Sequence, residues 1–214
     1  MVRRTKEEAE ATRIQLLDAA EKCFREKGVA STTLDDIARS AGHTRGAVYW
    51  HFENKADIFQ AVCERVHTPL QTMLSDLAAA PGDDPLGFLR KDAIRVLRML
   101  TDCERVQAVF EIQFCKLDGG PDFTLLRQRE VEDDTRCVNM LAVVFAAAIE
   151  RGQLPPHLIP REVAEAMHAY FSGLMRSWVE RRSFDLRSMA PWLIDVFIEG
   201  LKNVPPGLQS AEYE

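Results

Sequence analysis

The chain lacks the marks of a membrane protein, a disulfide-stapled domain or a common enzyme. No apolar run approaches the roughly 18 residues that a membrane-spanning helix needs, so no membrane partner is expected. The opening MVRRTKEEAEATR has two arginines but no apolar stretch behind them, so no signal peptide is expected. Its 5 cysteines, at 23, 63, 103, 115 and 137, are odd in number and form no C-x-x-C pair. They read as reduced thiols packed as small hydrophobes in a cytoplasmic protein. His43, His51, His67, His157 and His168 make no H-x-x-x-H pair, and there is no Walker glycine loop, G-x-S-x-G or H-E-x-x-H. No catalytic site, metal or cofactor is expected. Sustained alternation of apolar and polar residues is missing, as are repeats and low-complexity tracts, so the chain is expected to be all-α.

Positive charge is also scarce, with 27 Lys/Arg against 33 Asp/Glu and a net of −6. The shortfall is uneven. Residues 1–55 carry ten basic and nine acidic residues, a net of +1, whereas residues 56–214 carry seventeen and twenty-four, a net of −7. Arg3, Arg4 and Lys6 form a basic arm, and Arg45 and Lys55 flank a short apolar-periodic segment. Local charge of this kind attracts phosphate even on an acidic protein.

That segment belongs to Thr32–Lys55, TTLDDIARSAGHTRGAVYWHFENK. Leu34, Ile37 and Ala38 give a first short helix one apolar face, and Thr32-x-x-Asp35 resembles a capping box. Gly42 stands where that helix must stop and reverse. Thr44 can cap a second helix with Val48 and Phe52 inward. A small residue, a turn glycine and a branched apolar residue at this spacing predict a helix-turn-helix and hence DNA. Thr44, Arg45, Tyr49 and His51 are left on exposed sides, and Gly46 would let backbone approach DNA. Lys55 is placed for a phosphate, as is the helix start at Thr32 or Thr33. Phe52 is read as core, and Trp50 as core or surface.

Further helices are expected at 8–27, before the helix-turn-helix with Ile14, Leu17 and Phe24 on one face, and at 54–80, which Pro69 should kink or split. Others are expected at 86–102, 104–116, 123–151 and 161–182, with a last one from Ser188 or Pro191 to Lys202. Gly119-Gly120-Pro121 marks a break, and a polar tail follows Pro205-Pro206-Gly207.

Residues 12–59 closely resemble the DNA-binding domain of TetR-family transcriptional repressors. MVRRTKEEAEATR, DPLGFLRK at Asp84–Lys91 and RGQLP at Arg151–Pro155 extend the likeness to the subgroup that represses multidrug efflux-pump operons. The resemblance implies a DNA-binding domain over 1–55 and a ligand-binding and dimerisation domain over 56–214. It further implies a homodimer on a palindromic double-stranded operator, released by a small hydrophobic drug-like effector. The family's DNA contacts fall on Thr33, Thr44, Arg45, Gly46, Tyr49, His51 and Lys55. A TetR-like regulator with one metabolite effector, or with none, stays open.

Candidate effector residues mix apolar surface with a few polar groups, as ligand pockets do: His67, Val96, Phe110, Phe114, Cys137, Leu141, His168, Phe171, Ser172 and Met175. His67 and His168 have a competing and slightly favoured reading as satisfied core histidines. Asp92 places a charge where an apolar wall is expected, either to select cations or to face solvent. The 161–182 helix shows two apolar stripes, Val163, Met167, Tyr170, Leu174 and Trp178 beside Ala164, Phe171 and Met175. One stripe suffices for a surface helix, so the second suits a partner. With the last helix (Ile194, Phe197, Ile198, Leu201, beside Leu193 and Val196), it predicts a four-helix dimer interface through Tyr170, Leu174, Trp178, Phe197 and Leu201. Glu132-Asp133-Asp134 reads as a solvated face.

Overall fold

The computed structural model describes residues 6–116 and 123–207. Among them are nine helices and no strand: α1 (Lys6–Lys27), α2 (Leu34–Ser40), α3 (Arg45–His51), α4 (Lys55–Ala79), α5 (Pro85–Asp102), α6 (Glu104–Cys115), α7 (Phe123–Glu150), α8 (Pro160–Arg181) and α9 (Leu186–Lys202). Arg3 and Arg4, the Gly119-Gly120-Pro121 break and the tail from 208 onward lie outside the described residues. No helix among the described residues is long and apolar enough to cross a membrane.

Packing divides the chain into two compact units, Met1–Thr68 with Arg105–Glu130, and Pro69–Glu104 with Val131–Glu214. The first therefore extends well past residue 55, because α6 packs with the N-terminal helices. α1 buries Leu16, Leu17, Ala20, Cys23 and Phe24, while Ile14 is 45% exposed, against expectation. At 3.6 residues per turn the buried stripe centres on Leu16, Ala20 and Cys23, and Ile14 falls beyond its edge. Phe24 meets Phe59 of α4 edge to face at 6.0 Å. Three links then tie α1 to α6 in parallel register. Arg105 reaches Asp18 at 3.1 Å, Arg25 reaches Glu111 at 3.1 Å, and the Val29 N–H donates to the Lys116 carbonyl at 3.1 Å. Arg65 of α4 joins Asp18 at 2.6 Å. Burial pushes the Glu21 carboxyl up, with Arg105 and Arg65 opposing.

Pro69 does not split α4, which runs through to Ala79. A proline's fixed φ is itself helical, so the lost N–H costs a bond without ending the helix. The boundary between the units falls at that same peptide bond.

In the second unit α5 and α9 run in opposite directions. Arg90 grips Asp195 at 2.7 Å near one end, and Arg187 grips Asp102 at 2.8 Å near the other. Between them Leu89, Ala93, Leu97 and Leu100 face Leu186, Ala190, Leu193 and Ile194 as buried residues. α9 starts earlier than expected, capped by Asp185, which accepts the Ser188 N–H at 3.1 Å, and Pro191 lies inside it.

The segments DPLGFLRK and RGQLP meet in space. Asp84 caps α5 through the Gly87 N–H at 2.9 Å and accepts from Gln153 Nε2 at 2.7 Å. Gln153 Oε1 in turn accepts the Leu86 N–H at 3.1 Å. A Cβ at Gly87 would stand 2.1 Å from Asp84 Oδ2, so this cap admits only glycine there.

Candidate nucleic-acid interface

α2 begins one residue later than the sequence suggested. Thr33, not Thr32, is the N-cap. Its hydroxyl accepts the Asp36 N–H at 3.1 Å, and Asp36 Oδ2 accepts the Thr33 N–H at 3.1 Å. Thr32 is instead buried, donating to the Gly28 carbonyl at 2.7 Å, which ties the loop to the end of α1. Lys27 binds Asp36 at 2.8 Å; that bond and the Thr33 hydroxyl hold the Asp36 carboxyl far below the usual carboxylate range.

The turn after α2 closes with the His43 N–H on Ala38 and the Gly42 N–H on Arg39, at 2.9 and 3.2 Å. Gly42 has φ +70°, and a Cβ there would touch nothing within 4 Å, so backbone conformation alone calls for glycine. Thr44 then caps α3, accepting the Ala47 N–H at 3.3 Å. Val48 is 0% exposed and Phe52 3%, joining Ile37 and Ala38 in the core as expected.

With that face buried, Thr44, Arg45, Gly46, Tyr49 and Trp50 are exposed. Trp50 is 69% exposed, which rules out the core reading. His51 is only half-buried rather than exposed, and its ring lies edge to face on Trp50 with centroids 4.4 Å apart and 6.2 Å from the buried Phe52 ring. Arg45 spans the surface between the helices, reaching Asp35 at 3.3 Å and the Tyr49 hydroxyl at 3.0 Å. These partners, the Tyr49 bond first, raise its pKa further. Lys55 donates to the Ala30 carbonyl at 3.0 Å. Thr33, Arg45, Tyr49 and Lys55 thus line one open groove of about 450 Å³, with Asn54 also on its wall. Gly46 is not required by packing, since a Cβ there would lie 3.8 Å from Thr44 Oγ1, an ordinary contact.

The effector candidates fall in both units. In the first, His67 bonds Gln113 Oε1 at 3.0 Å and its ring lies 5.7 Å from Phe110, which stacks on Phe114 at 5.6 Å. In the second, His168 pairs with Asp134 at 3.3 Å. Asp134 comes from the exposed acidic run, a partner that sequence reasoning missed because its spacing only marks a solvated face. Its bond raises the His168 pKa against the opposing effect of burial. Burial, with Asp134 second, pushes the Cys137 thiol up to about 11. Leu141 and Met175 are buried, while Val96, Phe171 and Ser172 are half-buried. Asp92 pairs with Arg95 at 3.0 Å, one turn along α5.

Among the dimer candidates, Tyr170, Leu174, Phe197 and Leu201 are half-exposed. Tyr170 stacks on Phe197 at 5.3 Å and donates to the Leu193 carbonyl at 2.9 Å. Trp178 does not fit a partner-facing role. It is 8% exposed, its Nε1 donates to the Phe184 carbonyl at 3.2 Å, and Arg182 covers its ring at 5.3 Å. Arg182 has φ 48°, so the chain turns back after α8 and covers the indole itself. Val163 and Met167 are buried too, whereas Trp192 and Val196, four residues apart on α9, are 61% and 48% exposed. Trp192 was missed because a helix starting at Ser188 or Pro191 leaves it at the frayed end.

Two short capped helices around a glycine turn, the second with an exposed polar and aromatic face, define a helix-turn-helix DNA-binding protein. The family model for bacterial regulatory proteins of the tetR family matches residues 16–62, and that for the C-terminal region of MAATS-type transcriptional repressors matches 84–203. The chain is 41% identical over 179 residues to the HTH-type transcriptional regulator TtgR of Pseudomonas putida, covering 84% of this chain and 85% of that one. The structure of NalD, secondary repressor of the MexAB-OprM multidrug efflux pump in Pseudomonas aeruginosa, matches with a TM-score of 0.81 at 32% identity over 91% of this chain and 98% of that one. The complex of SmeT with triclosan matches with a TM-score of 0.83, also at 32% identity, over 92% and 96%. SmeT is the repressor of the Stenotrophomonas maltophilia pump SmeDEF. The chain belongs to the TetR family of transcriptional regulators. Members of that family bind operator DNA as dimers and respond to small-molecule effectors.

Proposed function

We propose that this chain is a cytoplasmic, homodimeric repressor of a multidrug efflux pump, released from a palindromic operator by small hydrophobic drug-like molecules. Residues 1–55 read the DNA, and residues 56–214 bind the effector and dimerise. The observation that carries this reading is the exposed α3 face, where Arg45, Tyr49 and Lys55 share one groove with Thr33. Arg45 leaves Asp35 to donate to a guanine edge, and Thr44 and Tyr49 contact phosphate or a thymine methyl. Lys55 neutralises a phosphate, and His51 buttresses Trp50. The two recognition helices enter successive major grooves about one turn, roughly 34–36 Å, apart.

The effector binds within residues 56–214. It favours a conformer with different spacing of the recognition helices, and α4 is the lever. Dimerisation uses α8 and α9 through Tyr170, Leu174, Phe197 and Leu201, joined by Trp192 and Val196. Relatives that repress efflux pumps, one of them complexed with triclosan, support the class of effector and of target.

The test uses the DNA upstream of the protein's own gene. Arg45→Ala should cost about 1–3 kcal/mol per half-site at particular base pairs, while Lys55→Ala should weaken all sequences alike and lower the salt slope by about 2, one phosphate contact from each subunit. Equal loss from Arg45→Ala on matched and scrambled DNA would sink the assignment.

A further inference from the structure

On α5, Phe88, Lys91, Arg95 and Arg98 recur at helical spacing and so share one stripe. Phe88 is 49% exposed, and the three cations are exposed as well. The stripe borders an open groove of about 750 Å³, whose lining also includes Arg90, Ile94, Met99, Asp102 and Cys103 of the same segment and Pro191 of α9. Every lining residue belongs to the second unit, and none is an effector candidate named above.

The groove is chemically out of character with its surroundings, since residues 56–214 carry a net of −7. Its cations also differ from one another. Arg90 is taken up by Asp195 and Arg95 by Asp92. Lys91 instead lies over the Phe88 ring at 5.2 Å, and Arg98 makes no ion pair within 4 Å among the described residues, the acid that shares the groove, Asp102, being bonded by Arg187 and only adding a longer-range attraction to Arg98. Two cations thus stand beside an apolar floor of Ile94, Met99 and Pro191. A neutral hydrophobe would leave the cations unused, and a small inorganic anion would leave the floor unused. A planar anion satisfies both, because guanidinium pairs with carboxylate in two-pronged fashion and also stacks on aromatic faces.

We propose that this α5–α9 groove binds an aromatic monocarboxylate, its carboxylate on Arg98 and Lys91 and its ring against Ile94, Met99 and Pro191. The site is separate from the effector site and from the DNA-reading helices.

Cys103 lines the groove and is exposed, as is Cys115 in the other unit, so the two thiols provide a probe and a control. The full-length protein is alkylated with iodoacetamide, with and without 2-naphthoate, and each thiol is followed by peptide mass spectrometry. At ten times its Kd, 2-naphthoate should slow Cys103 alkylation about tenfold while leaving Cys115 unchanged. The neutral 2-naphthalenemethanol should have a Kd at least about tenfold higher, and so slow alkylation no more than about twofold at equal concentration, and Lys91→Gln/Arg98→Gln should raise the Kd for 2-naphthoate by at least about tenfold. Thermal melting checks that the double variant folds, and the protection assay on the unaltered protein decides the question if it does not. An unprotected Cys103, equal protection by the alcohol, or an unchanged Kd in the folded double variant would overturn the proposal.

Discussion

Replacing Gly46 with alanine adds one methyl group to the exposed side of α3. In the free protein that methyl meets only Thr44 Oγ1, at 3.8 Å. Unlike Gly42, Gly46 does not have positive φ, so alanine is not strained there. Alanine is favoured over glycine inside a helix by roughly 0.5–1 kcal/mol, and somewhat less in the first turn. For a chain of this size the melting temperature should rise by no more than about 2–4 °C. On DNA, with α3 reading the groove as proposed, the same methyl would occupy the space that backbone needs to approach. If each half-site loses about 1.4 kcal/mol, a dimer loses about a hundredfold in affinity. Thermal melts and fluorescence anisotropy at one fixed salt concentration read the two effects separately, since salt alone moves the affinity. A lowered melting temperature, or operator affinity kept within about twofold, would refute the reasoning.

Two further outcomes follow from the second unit. Gly87→Ala should expel the Asp84 carboxylate and cost about what Asp84→Ala costs, about 1 kcal/mol for a lost cap, with the double variant no worse than either single. Additive losses in urea melts would contradict this. The raised His168 pKa contributes stability that is fully present below its usual value near 6.5 and is lost as pH rises through the folded-state value. The stability difference between wild type and His168→Gln should therefore shrink from about pH 6 to pH 8, and a difference that widens over that range would count against the Asp134 pairing.

Most of the helix-turn-helix was legible in the residues, because its determinants are local. Gly42 turns, Thr44 caps, and Val48 and Phe52 point inward for reasons of φ, hydrogen bonding and helical period that act within a few residues. Two local errors had local causes. Adjacent threonines compete for one cap, and the bond from Thr32 to Gly28 gave that role to Thr33. Ile14 sits well outside a stripe that simple spacing placed one position off. The apolar stripes of α8 were legible as stripes, but not which neighbour would cover them. Trp178 is closed over by its own chain because Arg182 turns left-handed and brings Phe184 back, which no periodicity reveals.

Residue order alone determined an all-α fold, most helix positions among the described residues, and a capped recognition helix with a mild excess of positive charge around it. Only the tertiary structure decided that α6 packs along α1, that Asp84 and Gln153 form one latch from two distant motifs, and that Asp134 holds His168. Each of these joins residues far apart in the chain, where only folding brings the partners within bonding distance.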